Sequence, residues 1–205
     1  MAISGMTITQ AVNDLVETIG EFPMAEASTP SPTGTSIYSR ARIFVRRETK
    51  RVLTQGWPEN TILAKRYSLD LHGKVALANP TEDNPSLFVQ SAGPDKHRSL
   101  VMRYDGEHMR IFDADWQEFD LRNGGGPSRT DVFVDEVIAF NTEAYDFGFD
   151  RCSPQLQDVI VGRARALFQR RIQGNLEMDT ALQQEYHQAD IGTRRNQPVI
   201  EQNLN

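Results

Sequence analysis

The chain has 205 residues, a net charge of −6, 39% hydrophobic and 24% charged side chains, which is the composition of a globular protein able to bury a core, as one domain or one domain with an insertion. The acidic balance argues against a general nucleic-acid binder, which is normally basic. Cys152 stands alone, so an intrachain disulfide and a cysteine metal cluster are excluded, and it reads as a small apolar side chain ahead of a helix.

The N-terminal MAISGMTITQ lacks the basic start and long apolar run of a secretory signal. No stretch reaches the roughly 18 apolar residues that span a bilayer; the longest, such as 137–140, are strand-sized. The chain is therefore expected to be made in the cytoplasm, without a membrane anchor. Ile8, Ala11, Val12, Leu15, Val16 and Ile19 repeat on one face of a helix. Thr7 or Thr9 can cap its start, and Gly20 can take the left-handed position that ends it. A rod of about 18 Å is too short to stand alone and must pack on something.

Residues 21–35 hold Pro23, Pro30, Pro32 and Gly34 in a Ser/Thr-rich setting and predict a loop or mobile linker. A second helix is predicted over 36–55, with Ile37, Ala41, Phe44, Val45 and Val52 as its buried stripe and Gly56 as its stop. From 61 to 149 the pattern changes to short apolar runs separated by Gly, Pro, Asn and Asp, which predicts an antiparallel β region of about four to seven strands. Asp105-Gly106 signals a tight two-residue hairpin turn. The stretch 73–99, with Pro80, Pro85 and Pro94, reads as an exposed loop with little regular structure. Ser153-Pro154 is a cap followed by a first-turn proline. Leu156, Val159, Ile160, Ala164, Leu167, Phe168 and Ile172 keep helical spacing to Gly174, and a more polar helix is predicted over 178–189. Residues 190–205 show no apolar period and read as an extended tail. The expected fold is α+β: a helical bundle from 1–58 and 150–189, an inserted antiparallel β domain over 59–149, and the C-terminal tail.

Little here advertises chemistry. His72, His97, His108 and His187 are scattered outside any metal-binding spacing and read as surface residues. Asp113, Asp115, Glu118 and Asp120 surround Trp116 and Phe119; carboxylates beside aromatics can serve a glycosidase, but solvated strand and turn residues are the plainer reading. Gly124-Gly125-Gly126 is followed by Pro-Ser rather than Lys-Ser/Thr, so it is no phosphate loop. No catalytic residue, metal or cofactor is expected.

Charge is more informative. Residues 36–56 carry Arg40, Arg42, Arg46, Arg47, Lys50 and Arg51 against Glu48 alone, a net +5. Residues 105–150 carry twelve acids, among them Asp131, Asp135 and Glu136, against three arginines, a net −9. Either these are two solvated faces, or the subunit has unlike poles suited to head-to-tail contact through Arg40, Arg46, Arg47 and Lys50 on one side and Asp131, Asp135 and Glu136 on the other.

The order of features near the N-terminus resembles the tail tubular protein A family, the head-to-tail adaptors of short-tailed phages. That family has a first helix with an Ala-Val-Asn start, here Ala11, Val12 and Asn13, closing on Ile19, Gly20, Glu21 and Pro23. Its second helix carries a basic run and ends in Gly-Trp, here 46–56 and Trp57, with Asn60 beyond; Pro58-Glu59 stands where an aromatic is usual. The specific match covers about a fifth of the chain; the helical hairpin near 153–190 also resembles the family's C-terminal half, and the β region between matches only in character. The resemblance implies a non-enzymatic ring of about twelve copies in the virion tail, bound to the portal protein above, to a nozzle protein of the tail tubular protein B type below and to a tail fibre nearby, with genomic DNA passing through the lumen. Gly20, Pro23, Gly56 and Trp57 would be structural anchors. The tail, through Asp190, Arg194, Arg195, Pro198, Ile200 and Leu204, would dock on the portal. A neck connector with a different distal partner is a second expectation, and a carbohydrate-active tail protein using Asp113 and Asp115 a third.

Overall fold

The computed structural model describes residues 5–25, 28–77, 86–122, 129–140 and 146–174, with Gln184, His187 and Gln188. Three helices, α1 (Ile8–Glu17), α2 (Ile37–Leu53) and α3 (Pro154–Ile172), flank five strands in sequence: β1 (Thr61–Ser68), β2 (Ser86–Ser91), β3 (Leu100–Tyr104), β4 (Met109–Asp113) and β5 (Asp131–Ile138). The class is mixed α+β with antiparallel sheets. The chain divides into two compact units, one made of 1–52 with 149–205, the other of the continuous segment 53–148. The helix predicted over 178–189, the tail 190–205 and the glycine run 124–126 lie outside the described residues, apart from helical backbone at Gln184, His187 and Gln188.

In the helical unit, local signals set the ends. Thr7 closes a capping box with Gln10: its hydroxyl accepts the Gln10 N–H at 3.2 Å, and the Gln10 side chain accepts the Thr7 N–H at 2.9 Å. Helix α1 stops at Glu17; Gly20 (φ +80°) turns the chain, and the Glu21 N–H reaches back to the Val16 carbonyl. Ala11, Val12, Leu15 and Val16 are buried as their spacing demands. Ser153 caps α3 ahead of Pro154, and Leu156, Val159, Ile160, Ala164 and Phe168 fill its buried side; Leu167 is only half-buried and Ile172 is exposed. Phe44 of α2 meets Phe168 of α3 edge-on at 5.4 Å. Buried Gln157 of α3 exchanges hydrogen bonds with both backbone groups of Met6, at 2.7 and 3.0 Å, and so fastens the N-terminal segment.

The proline-rich stretch expected to be a loop or mobile linker is a loop where described, and it is tied down as a strap. Asn13 bonds both the N–H and the carbonyl of Met24, Thr9 donates to Ser28, the Tyr38 hydroxyl donates to the Phe22 carbonyl at 2.8 Å, and the Arg42 guanidinium donates to the Pro30 carbonyl. A segment that cannot form helix or sheet must find other partners for its backbone, and here helix side chains supply them.

In the second unit, β5 runs between β1 and β2 in an antiparallel sheet of order β1-β5-β2, while β3 and β4 form a separate hairpin. Val89, Leu100, Ile111, Leu121, Val132 and Val134, with Val75 and Leu77, make one hydrophobic cluster drawn from both sheets. Two sequence expectations are corrected. The hairpin loop is four residues, 105–108, because Tyr104 pairs with Met109; the Asp105 carboxylate accepts the N–H groups of Glu107 and His108 at 3.0 and 2.8 Å, which favours a wider turn closed by a side chain. The stretch 73–99 is structured where described: β2 lies within it, and Val75 and Leu77 run along β4, bonded to Ile111 and Met109. Pro94 follows β2 in a short 3-10 turn, Gly93–Asp95, and Pro80 and Pro85 lie outside the described residues.

Candidate functional site

The basic helix separates its charges by depth. Arg40, Arg47, Lys50 and Arg51 are exposed and Arg46 is half-buried, whereas Arg42 is buried against the strap. With 3.6 residues per turn, Arg40, Arg47 and Arg51 fall on one line about 16 Å long. The acid of this helix, Glu48, faces inward and pairs with Arg163 of α3 at 2.7 Å. Its charge is thereby removed from the arginine face, and the outer surface of α2 is uniformly cationic. Arg47 lies over the Phe44 ring, 6.0 Å from its centre.

The three acids expected to oppose that helix sit on β5 but behave differently. Asp131 accepts from Arg66 at 2.7 Å, Thr130 at 2.9 Å and Ser68 at 3.0 Å; the bond from Arg66 comes first among the causes that hold its carboxyl down to about 2. Asp135 accepts the Ala64 N–H at 2.7 Å and so holds the bulge between Ile62 and Lys65, where Ala64 takes φ +47°. Glu136 corrects the expectation of a surface residue. Side chains alternate along a strand, so Glu136 shares the core face of Val132 and Val134. It is 1% exposed, and it accepts from Lys65 and from the Ser86 hydroxyl. Tyr67 lies beside this group with its ring 4.7 Å from the Lys65 ammonium, and burial pushes its hydroxyl up to about 12.

Of the acids around Trp116, Asp115 is exposed and Glu118 and Asp120 are half-buried, as solvated turn residues are, but Asp113 is not. Asp113 is fully buried; Arg98 grips one of its oxygens at 2.6 and 2.9 Å, and the other accepts the N–H groups of Asp115 and Trp116. Asp115 accepts the Ser99 N–H at 2.8 Å. Both carboxylates of the suggested glycosidase pair thus serve turns and an ion pair. Asp95, also buried, accepts from Arg129 and from the Phe133 N–H. Sequence reading missed Asp95: Arg98 approaches it at 3.5 Å from three residues on, but its shorter bonds come from 34 and 38 residues away. His72, His97 and His108 are exposed, and no group of metal-ligating side chains occurs among the described residues. No helix among them is long and apolar enough to cross a membrane.

Ion pairing inside the sheets trims the local acidity, yet the division of charge survives at the level of the two units. Segment 53–148 holds nine Lys and Arg against sixteen Asp and Glu, a net −7, and the remainder of the chain is +1.

The anchors take the conformations their residue types favour. Gly20 and Gly56 have φ of +80° and +74°, Pro23 is exposed, and Trp57 is buried. The residue that organises the second helix end is Asn60. It accepts the Trp57 N–H at 2.7 Å and donates to the carbonyls of Leu53 and Ile138 at 3.0 and 2.9 Å. An asparagine three residues after a helix-ending Gly-Trp, in a turn begun by proline, was the available signal. Asp190, Arg194, Arg195, Pro198, Ile200 and Leu204 lie outside the described residues. Comparison of the chain with protein-family models and with curated proteins gives no match.

Proposed function

We propose that this chain is a structural adaptor of a short-tailed phage, closing into a ring between portal and tail nozzle and forming part of the DNA channel. The observation that carries the reading is the division of charge: a cationic outer face on α2, whose only acid is turned inward, and a segment of net −7 elsewhere in the same chain. Unlike surfaces on one subunit suit heterologous, head-to-tail contact, and such contact makes a closed ring when the rotation closes. The N-terminal likeness to tail tubular protein A supplies the kind of ring. In this reading α1, α2 and α3 belong to a bundle that a helix over 178–189 completes. Residues 190–205, which can span at most about 55 Å when extended, reach the portal, with Arg194 and Arg195 pairing with its carboxylates. Acids on the lumen side would repel DNA and let it slide.

The test is charge reversal at Arg40, Arg47 and Lys50, all to Glu. Placing like charges together costs several kcal/mol, so self-association is expected to weaken by about a hundredfold while the melting temperature stays unchanged. Rings that form equally well would show those residues to be ordinary surface. A reconstruction of the particle then identifies the neighbours: a portal on one face and a nozzle on the other is expected, and a different distal protein would assign the chain to the neck connectors.

A further inference from the structure

The strap between α1 and α2, described over residues 21–25 and 28–35, is fastened through its backbone by side chains of both helices. From α1, Asn13 accepts the Met24 N–H at 2.9 Å and donates to the Met24 carbonyl at 3.0 Å, and Thr9 donates to the Ser28 carbonyl at 2.9 Å. From α2, the Tyr38 hydroxyl donates to the Phe22 carbonyl at 2.8 Å, and the Arg42 guanidinium donates to the Pro30 carbonyl. The strap's own side chains add little burial: Pro30 is buried and Met24 and Pro32 are half-buried, whereas residues 21–23, 25, 28–29 and 31 are exposed. The helices beneath rest on a different source of stability, since Val12, Leu15, Val16, Val45, Ile160 and Phe168 are fully buried. One such hydrogen bond contributes a net stabilisation no larger than the entropy lost in fixing one residue's backbone. A segment held by bonds of that kind, with few buried apolar contacts, belongs to the low end of local stability. Gly20, at φ +80° and with no atom within 4 Å of where a Cβ would lie, gives its near end room to pivot.

We propose that the strap is a latch: it opens as one unit while α1, α2 and α3 stay folded, and the helix side chains, rather than those of the strap, set how often it opens. Its unity follows from the order of the contacts. Along the chain, Phe22 is held by α2, Met24 and Ser28 by α1, and Pro30 by α2 again. A segment clamped at both ends to one helix and in its middle to the other keeps its path only while both hold it, so release at either end loosens the middle. The closed latch also lies on polar groups that the fold has taken out of water. Thr9 and Arg42 are 4% and 8% exposed, and opening withdraws the Ser28 and Pro30 carbonyls from them. The inference concerns the single subunit and does not depend on the adaptor reading.

Amide hydrogen exchange of the full chain, read residue by residue, tests this. The reporter is the Met24 N–H, which Asn13 protects. Tyr38→Phe and Thr9→Val each delete one hydroxyl; they release Phe22 and Ser28, on either side of Met24, and neither hydroxyl bonds to Met24 itself. Opening as one unit means that each change speeds Met24 exchange about fivefold, and the two together about twenty-fivefold. The interior amides of α1 and α2, such as those of Val16 and Val45, should keep the parental rate. Phe22→Ala and Ser28→Ala alter only strap side chains and should leave Met24 exchange as it was. A Met24 rate unmoved by either hydroxyl deletion would overturn the inference, because the strap would then be held in independent pieces. Helix amides accelerated in step with Met24 would overturn it as well, by showing that the strap opens only when the helices do. Acceleration by Phe22→Ala equal to that by Tyr38→Phe would place the hold in the strap's own side chains and defeat it too.

Discussion

Tyr67 illustrates how a single buried group reports on its neighbours. Its hydroxyl lies in the group formed by Lys65, Glu136 and Ser86, and burial raises its ionisation to about 12 from an ordinary value of 10.0. A group whose folded value is raised stabilises the fold fully below its unfolded value, and that contribution is lost as pH climbs through the folded value. The window is therefore pH 10 to 12 on the values for Tyr67. Phenolate absorbance isolates the phenol from the Lys65 ammonium: Tyr67→Phe should remove a late step, near 12, from the titration and flatten the fall in stability across the window. A titration left unchanged near 12 by Tyr67→Phe would mean that Tyr67 is not held beside Glu136 as described. The buried carboxylates of Asp95, Asp113 and Glu136 were illegible in the sequence for one physical reason. Their closest cationic partners are Arg129, Arg98 and Lys65, separated from them by 34, 15 and 71 residues, and a local count of charge assigns such acids to solvent.

At the scale of elements, what was legible is what local physics decides. The capping box at Thr7, the Ser153-Pro154 start of α3 and the glycines that end α1 and α2 each act within a few residues, and their signatures survive in the sequence. The apolar run Leu87-Phe88-Val89 marked β2, although the prolines around it made the wider stretch read as a loop, and the hairpin loop was misjudged because Asp105 can close a wider turn with its own carboxylate. Asn60 is the joint of this scale. One buried amide satisfies the Trp57 N–H and the carbonyls ending α2 and β5. Asn60→Ala forfeits three hydrogen bonds, each worth about 1 kcal/mol net, so a loss of about 3 kcal/mol and a fall in Tm of about 6–12 °C are expected by calorimetry. Asn60→Asp keeps the acceptor for Trp57 and loses the two donors, and should be destabilised too. Near-parental melting of both variants would show that water replaces the amide at no cost.

At the scale of the whole molecule, the change from helical spacing to short apolar runs broken by Gly, Pro, Asn and Asp, and back to helical spacing, made a mixed α+β chain readable, whereas the pairing order of the strands depends on contacts between distant residues and was not. The segment 53–148 has the attributes of an inserted folding unit. It is continuous and 96 residues long. The members of its hydrophobic cluster, from Val75 through Leu121 to Val134, all belong to this segment among the described residues. Its first and last strands lie together, because Thr61 at the start of β1 pairs with Val137 near the end of β5, and the Asn60 amide donates to the carbonyls of both Leu53 and Ile138. Domains inserted into a host fold show this closeness of ends, and a unit of about 100 residues with one contiguous core can fold alone. Residues 53–148 expressed by themselves should therefore unfold cooperatively, with Asn60→Ala lowering the midpoint in the isolated segment as it does in the full chain. Its high net negative charge, undiluted by the arginines of α2 and α3, should keep the isolated segment soluble and monomeric at neutral pH. A segment that shows no cooperative transition would mean that its sheets depend on the flanking helices for more than covalent attachment, and the two units would then have to be treated as one folding entity.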